Sequence, residues 1–233
     1  MRLDQRRPFR TNARVLDLSG FLAGALLALV VVTLALRSDP TDRASLGTVV
    51  GSTTPTPALD LISSADLRGW AHEGTGGFDA SVEDGVPVYI SAGGPGLLRY
   101  DRQLGDFEVE LEFSLAAPGA DAGVLVHVQY PVGEAPFQVD IQHDPDGASA
   151  IGDLVGVQQP MIFIAPAPGE WHTMRVRLRD RRVTVWIDDL HVNDYLEQAS
   201  GPSASLPAKG HLALENGAGS VRFRNIRLAD LSR

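Results

Sequence analysis

Hydrophobic and polar residues alternate along short stretches of the chain after residue 58. The clearest stretch runs from Phe107 to Leu115, where every second residue is apolar and Glu108, Glu110 and Glu112 stand between them. Successive side chains of a β-strand point to opposite faces of its sheet. The pattern therefore predicts a strand with one face in the core and its three glutamates on a solvated face.

Similar runs follow, separated by residues that favour tight turns. No helical pattern interrupts them, so residues 58–233 are predicted to form an all-β sandwich or jelly roll of at least eight strands. Asp188 and Asp189 predict a hairpin turn. The further runs are Gly123–Tyr130, Phe137–His143, Met161–Ala165, Met174–Leu178, Val183–Ile187, His211–Leu214 and Val221–Leu228. The other predicted turns are Pro118-Gly119, Asp144–Gly147, Pro168-Gly169 and Asn216-Gly217.

The N-terminal part has a different pattern. From Leu18 to Leu36 it reads LSGFLAGALLALVVVTLAL, without a charge. As a helix this run would be about 28 Å long, close to the roughly 30 Å hydrocarbon core of a bilayer. Five arginines precede it, so the positive-inside rule places the tail, residues 1–17, in the cytoplasm. The sequence predicts a single-pass transmembrane helix over residues 18–36 of the cytoplasmic (inner) membrane, with the C-terminal domain outside.

A cleaved signal peptide is the main alternative for this segment. The run is longer than the usual apolar region of roughly 7–15 residues, and no small-x-small cleavage site closes it, which favours an uncleaved anchor. Residues 37–57 are rich in Ser, Thr, Pro and Gly and lack periodicity, as is typical of a flexible linker.

Composition excludes several classes of function. The chain of 233 residues has no cysteine, hence no disulfide, thiolate metal site or cysteine nucleophile. Its net charge of -9 argues against a nucleic-acid partner. Motifs of serine hydrolases, phosphate loops, zincins and dinucleotide-binding folds do not occur.

The segment His143-Asp144-Pro145-Asp146-Gly147 offers oxygen ligands that would suit calcium. A Pro-Asp-Gly turn is the simpler interpretation, and no spaced ligand motif of known type is present. We therefore predict no metal and no cofactor.

Several segments, in order, resemble the 3-keto-disaccharide hydrolase family, also called the DUF1080 domain. The resemblance implies the fold of concanavalin A-like lectins and glucanases, and a carbohydrate ligand. It also makes Trp70, Phe107, Trp171 and Phe223 expected core anchors. The segments are Leu67-Arg-Gly-Trp70, Val82–Val86, Leu104–Phe113, Pro168-Gly-Glu-Trp-His-Thr173, Trp186–Asp194, Gly210–Glu215 and Val221–Ile226.

The resemblance implies a sugar site on the polar residues of the concave sheet, where this chain departs from the family. Asp121-Ala122-Gly123 followed by His127 stands where the family has Asn-Ser-Gly and then Arg. Gln138-Val139-Asp140 replaces Glu-Val-Gln, and Leu214-Glu215 replaces Leu-Gln. These positions stay largely polar, but their charges differ from those of the family.

Alternation places these polar residues together: Leu125, His127 and Gln129 opposite Val124, Val126 and Val128, and Gln138, Asp140 and Gln142 on one face. Glycoside cleavage commonly uses two carboxyl groups. The predicted catalytic residues are Asp140 and Glu215, with His127 as an alternative proton carrier. Gln138, Gln129 and Gln142 are predicted to bind sugar hydroxyls.

Two functions remain open at this point: an enzyme that hydrolyses (3-keto-)glycosides, or a noncatalytic, lectin-like module that binds a glycan or a protein. An ordinary solvated outer face would show the same polar stripe.

Overall fold

The computed structural model describes residues 57–130, 135–142, 150–201, 204 and 207–232. They contain thirteen strands. In chain order these are β1 (Leu59–Asp60), β2 (Trp70–Gly74), β3 (Gly77–Glu83), β4 (Val86–Ala92), β5 (Gly96–Tyr100), β6 (Phe107–Leu115), β7 (Asp121–Val128), β8 (Phe137–Gln142), β9 (His172–Arg179), β10 (Arg182–Ile187), β11 (Leu190–Leu196), β12 (His211–Ala218) and β13 (Val221–Asp230).

The strands form two antiparallel sheets. An eight-stranded sheet has the order β11-β10-β9-β6-β13-β4-β3, with β1 beside β13, and a five-stranded sheet has the order β2-β5-β12-β7-β8. One apolar core joins the two sheets, which confirms the predicted all-β sandwich. The predicted tail and transmembrane helix, and all of the linker except Pro57, lie outside the described residues. Across the residues that the structure does describe, no helix is long and apolar enough to cross a membrane.

Strand β6 has the alternating burial that its sequence pattern predicts. It runs from Phe107 to Leu115 as predicted, with Phe107, Leu111 and Phe113 at most 1% exposed. The row of glutamates on its other face is not simply solvated, because arginines of the neighbouring strands pair with it. Arg177 donates to Glu108 at 2.6 Å and Arg224 to Glu112 at 2.7 Å.

The hairpin predicted at Asp188 and Asp189 is confirmed. Both residues have left-handed backbone angles, with φ of 48° and 63°, as a two-residue hairpin turn requires. Pro118-Gly119 and Pro168-Gly169 are turns as well, and the turn predicted at residues 144–147 lies outside the described residues.

Three sequence predictions about the fold are wrong. Met161–Ala165 is a loop, because Pro160 and Pro166 bracket it and limit strand pairing. Asn216-Gly217 lies inside β12, and the chain turns after it, at Gly219. Trp171 lies outside the core, with the Arg224 guanidinium 3.9 Å from the centre of its ring.

Candidate functional site

The candidate site lies on the outward face of the five-stranded sheet. Leu98, Val124 and Leu214 point into the core and are fully buried, so residues next to them along each strand point outward. The strand register places one row of outward residues across the whole sheet. From β2 to β8 this row is Glu73, Leu97, Glu215, Gly123 and Asp140.

A cavity of about 420 Å³ opens on this face. Its polar lining comes from Glu73, Gln138 and Glu215, and its apolar lining includes Leu97. Pro95 and the first residue of β5, Gly96, form one wall. Small-molecule sites commonly have this size and this mixture of apolar surface with a few polar groups.

Glu215 is held by a hydrogen bond that crosses a strand. The Gln138 amide on β8 donates to Glu215 Oε2 on β12 at 2.5 Å, and β7 runs between them. Gly123 of β7 makes this contact possible. A Cβ atom at Gly123 would lie 3.1 Å from Gln138 Nε2 and 3.2 Å from Glu215 Oε2, which is tighter than ordinary contact.

The surroundings of Glu215 favour its protonated form. Burial raises the pKa of its carboxyl, the negative charge of Asp121 raises it further, and the hydrogen bond from Gln138 opposes both effects. Burial also raises the pKa of Asp121. Carboxyls with raised pKa values can exchange protons closer to neutral pH, as acid–base catalysis requires.

Arg99 is the central cation of this face. Its side chain is 11% exposed, and its Nε donates to Glu73 Oε1 at 2.7 Å. The guanidinium lies 4.3 Å from the centre of the Tyr130 ring. Sequence reasoning missed Arg99, Glu73 and Tyr130, although a lone charge inside the apolar run Gly96–Tyr100 was a usable signal.

A buried amide holds the wall of the cavity. Asn216, fully buried, donates from Nδ2 to the Gly94 carbonyl at 3.0 Å and accepts from Ser91 Oγ at 2.8 Å. Gly94 precedes Pro95 and Gly96, which line the cavity. Asn216, which the sequence predicted to lie in a turn, therefore fixes the loop at one side of the site.

His127 lies elsewhere. It lines a second cavity, of about 330 Å³, together with Phe137, Leu178 and Pro207, and its Nε2–H donates to the Pro207 carbonyl at 2.6 Å. The structure does not bring it into the cavity of Glu215.

A β-bulge explains the position of His127. Its φ is 64°, and the register of β7 against β12 shifts at this point. The predicted alternation is therefore wrong beyond Val126: Val128 packs with Leu125 and Ala213 on the outward face instead of facing the core.

The remaining predicted residues are spread over the same sheet. Asp140 shares the outward row with Glu215 but is only 3% exposed and is not part of the cavity lining. Gln142 ends β8 opposite Asp121. Gln129 donates to the Lys209 carbonyl at 3.3 Å, away from the cavity lining. Of the predicted residues, the structure brings Gln138 and Glu215 into direct contact; the chemical roles of all six remain predictions.

In the part of the chain that the structure describes, no three His, Asp or Glu side chains lie close enough together to hold a metal ion. The segment His143–Gly147, considered above for calcium, lies outside that part.

A family model described as the 3-keto-alpha-glucoside-1,2-lyase-like domain matches residues 57–229. The chain belongs to this family. The match confirms the 3-keto-disaccharide hydrolase resemblance and spans both sheets of the sandwich. The 3-keto-alpha-glucoside-1,2-lyase-like domain thus includes Gln138, Glu215, Arg99 and Tyr130. None of the curated proteins matches this chain in sequence.

Solved structures share the fold of this 3-keto-alpha-glucoside-1,2-lyase-like domain. An inferred glycosyl hydrolase from Parabacteroides distasonis has a TM-score of 0.62 and 20% identity, covering 75% of this chain and 94% of its own. The carbohydrate binding module CBM66 from Bacillus subtilis has a TM-score of 0.52 and 14% identity, covering 69% and 95%. A Bacillus subtilis protein of unknown function with a galectin-like fold also has a TM-score of 0.52 and 14% identity, covering 75% and 94%.

Proposed function

We propose that the domain binds a 3-keto-α-glucoside on the outward face of the five-stranded sheet and cleaves its glycosidic bond. Glu215 carries the proposal, because it combines a raised pKa with a position in the cavity lining and a fixed orientation from Gln138. Membership of the 3-keto-alpha-glucoside-1,2-lyase-like family supports the choice of substrate.

The chemistry that we propose is an elimination. A ketone at C3 of the sugar makes the hydrogen on C2 acidic, so a carboxylate can remove it. Glu215 takes this proton, the C2–H electron pair forms the C1=C2 double bond, and the C1–O bond to the leaving group breaks. The departing oxygen takes a proton from solvent water. The products are a conjugated enone and an alcohol.

Hydrolysis, which the resemblance to hydrolases implies, remains the second chemistry. It would add water at C1 and use two carboxyl groups, for which Asp140 and Glu215 are the predicted pair. Incubation of the purified chain with 3-keto-trehalose, followed by ultraviolet spectroscopy and mass spectrometry, distinguishes the reactions. Elimination gives an enone with characteristic ultraviolet absorbance and a mass one water below that of 3-keto-glucose, whereas direct hydrolysis gives 3-keto-glucose without that absorbance.

Noncatalytic binding is the alternative function. Glu73 is engaged by Arg99, and Gln138 by Glu215, so these polar groups are also arranged as a preformed binding face. The CBM66 module, a carbohydrate binding module by description, shares the sandwich fold. Retained binding of 3-keto-trehalose with no product over long incubation would establish this alternative and reject the enzyme.

We also propose that residues 18–36 anchor the chain in the cytoplasmic membrane with the domain outside. The proposal rests on the uncharged apolar run and the five arginines before it. Intact mass of the membrane-extracted protein tests it: a full-length chain is expected, and an N-terminus after Leu36 would reject the anchor.

A further inference from the structure

Tyr130 is an exposed aromatic residue beside the candidate site. It lies two residues after the end of β7 and is 56% exposed. Single exposed apolar residues are common on protein surfaces and need no function. Tyr130 differs from them because a charged neighbour orients its ring.

Arg99 provides that orientation. Its guanidinium lies 4.3 Å from the centre of the Tyr130 ring, and its Nε is bound to Glu73 at 2.7 Å. The Arg99 side chain is only 11% exposed, so it forms a fixed support beneath the ring. A ring supported on one face and exposed to solvent has lost part of its rotational freedom before any ligand arrives, which lowers the cost of binding.

Tyr130 is also connected to the cavity of Glu215. Glu73, the partner of Arg99, lines that cavity, and so does Leu97. Leu97 and Arg99 are two residues apart on β5 and therefore share its outward face, about 7 Å apart along the strand. The ring thus lies one residue layer beyond the cavity.

We propose that Tyr130 is a stacking subsite for a second sugar unit, adjacent to the unit held in the cavity. The C–H face of a pyranose ring packs on the flat, apolar face of an aromatic ring, and the phenol oxygen offers a hydrogen bond to a sugar hydroxyl. The ligand of the extended site is then a disaccharide or longer glycoside. This inference rests on the proposed function, because it extends the same site.

The test compares a disaccharide with a ligand that has one sugar unit. Calorimetric titration of the Glu215→Gln chain, chosen to prevent turnover, uses 3-keto-trehalose and methyl 3-keto-α-glucoside. Adding Tyr130→Ala is expected to weaken 3-keto-trehalose binding about tenfold, equivalent to about 1.4 kcal/mol, and to leave the methyl glycoside unchanged. Adding Tyr130→Phe, which keeps the ring, is expected to retain most of the affinity for 3-keto-trehalose.

Leu190→Ala is the matched control, because Leu190 is 51% exposed on the other sheet and should affect neither ligand. Equal affinities of the Tyr130→Ala and parent chains for 3-keto-trehalose would overturn the stacking subsite while leaving the proposed function intact. Equal weakening of both ligands would also overturn it, because the effect would then act on the cavity. A parent chain that binds neither ligand would overturn both proposals.

Discussion

Gln138 and Glu215 meet across a strand that belongs to neither of them. The amide on β8 donates to the carboxylate on β12 at 2.5 Å, passing over Gly123 of β7. The contact therefore depends on three strands and on the absence of a side chain at one position. It also fixes the carboxyl group that we propose as the proton acceptor.

Gly123→Ala tests this arrangement with a single methyl group. The added Cβ would lie 3.1–3.2 Å from Gln138 and Glu215, so one of them must move. We expect at least a tenfold loss of turnover, equivalent to about 1.4 kcal/mol, with the fold retained. Gly77→Ala is the control, since its Cβ would meet only an ordinary contact at 3.8 Å. Wild-type turnover in Gly123→Ala would show that the contact is dispensable.

Glu215→Gln is expected to stabilise the protein at neutral pH while abolishing turnover. The pKa of Glu215 is higher in the folded chain, because burial and Asp121 disfavour its charge. Between the unfolded and folded pKa values the folded chain binds more protons, so stability falls as pH rises through that window. Glutamine removes this loss but keeps an acceptor for Gln138. We expect the melting temperature to rise by about 2–4 °C for each kcal/mol of unfolding free energy that the substitution restores.

The same variant should show no such gain below about pH 4, where the glutamate is protonated in both states. Melting curves over a range of pH provide the measurement, with exposed Glu170→Gln as the control for loss of one charge. A gain that is independent of pH, or a loss at neutral pH, would contradict the assigned electrostatics.

Asn216→Ala should destabilise the domain and loosen the cavity wall. The substitution leaves the Gly94 carbonyl and the Ser91 hydroxyl without their Asn216 partner in a buried region. Urea unfolding is expected to show a loss of about 1–3 kcal/mol. Because Ser91 binds Asn216 directly, the Ser91→Ala and Asn216→Ala effects should not add in the double variant. Full additivity would mean that the two side chains act independently.

Substitutions of His127 distinguish a structural role of this residue from the catalytic role that the sequence predicts. Its φ of 64° suits glycine, so His127→Gly should be more stable than His127→Ala by about 1 kcal/mol, although both lose the bond to Pro207. Turnover should survive in both variants, because His127 lines the other cavity. Folded variants without turnover would instead support the proton carrier that the sequence predicts.

Sequence patterns predicted the parts of this molecule that depend on local order. Strand β6 was predicted with its observed bounds because its alternation is unbroken. The hairpin at Asp188 and Asp189 was predicted because a two-residue turn needs backbone angles that few residues adopt easily. Family motifs correctly indicated the fold because most of them lie in strands and turns.

The site was predicted only in part, because it depends on register between distant strands. Gln138 and Glu215 were both candidates, but their contact follows from pairings that no local pattern reveals. A bulge at His127 ended the alternation that had placed it with them. The lone charge of Arg99 in an apolar run marked that residue but not its partner, because only the folded sheet brings the Tyr130 ring onto its guanidinium.

A crystal structure of the Glu215→Gln chain soaked with 3-keto-trehalose tests the central claim most directly. We expect the substrate intact on the outward face of the five-stranded sheet, with one sugar unit in contact with Gln138 and residue 215. Substrate bound only in the cavity of His127, or on the eight-stranded sheet, would contradict the proposed site.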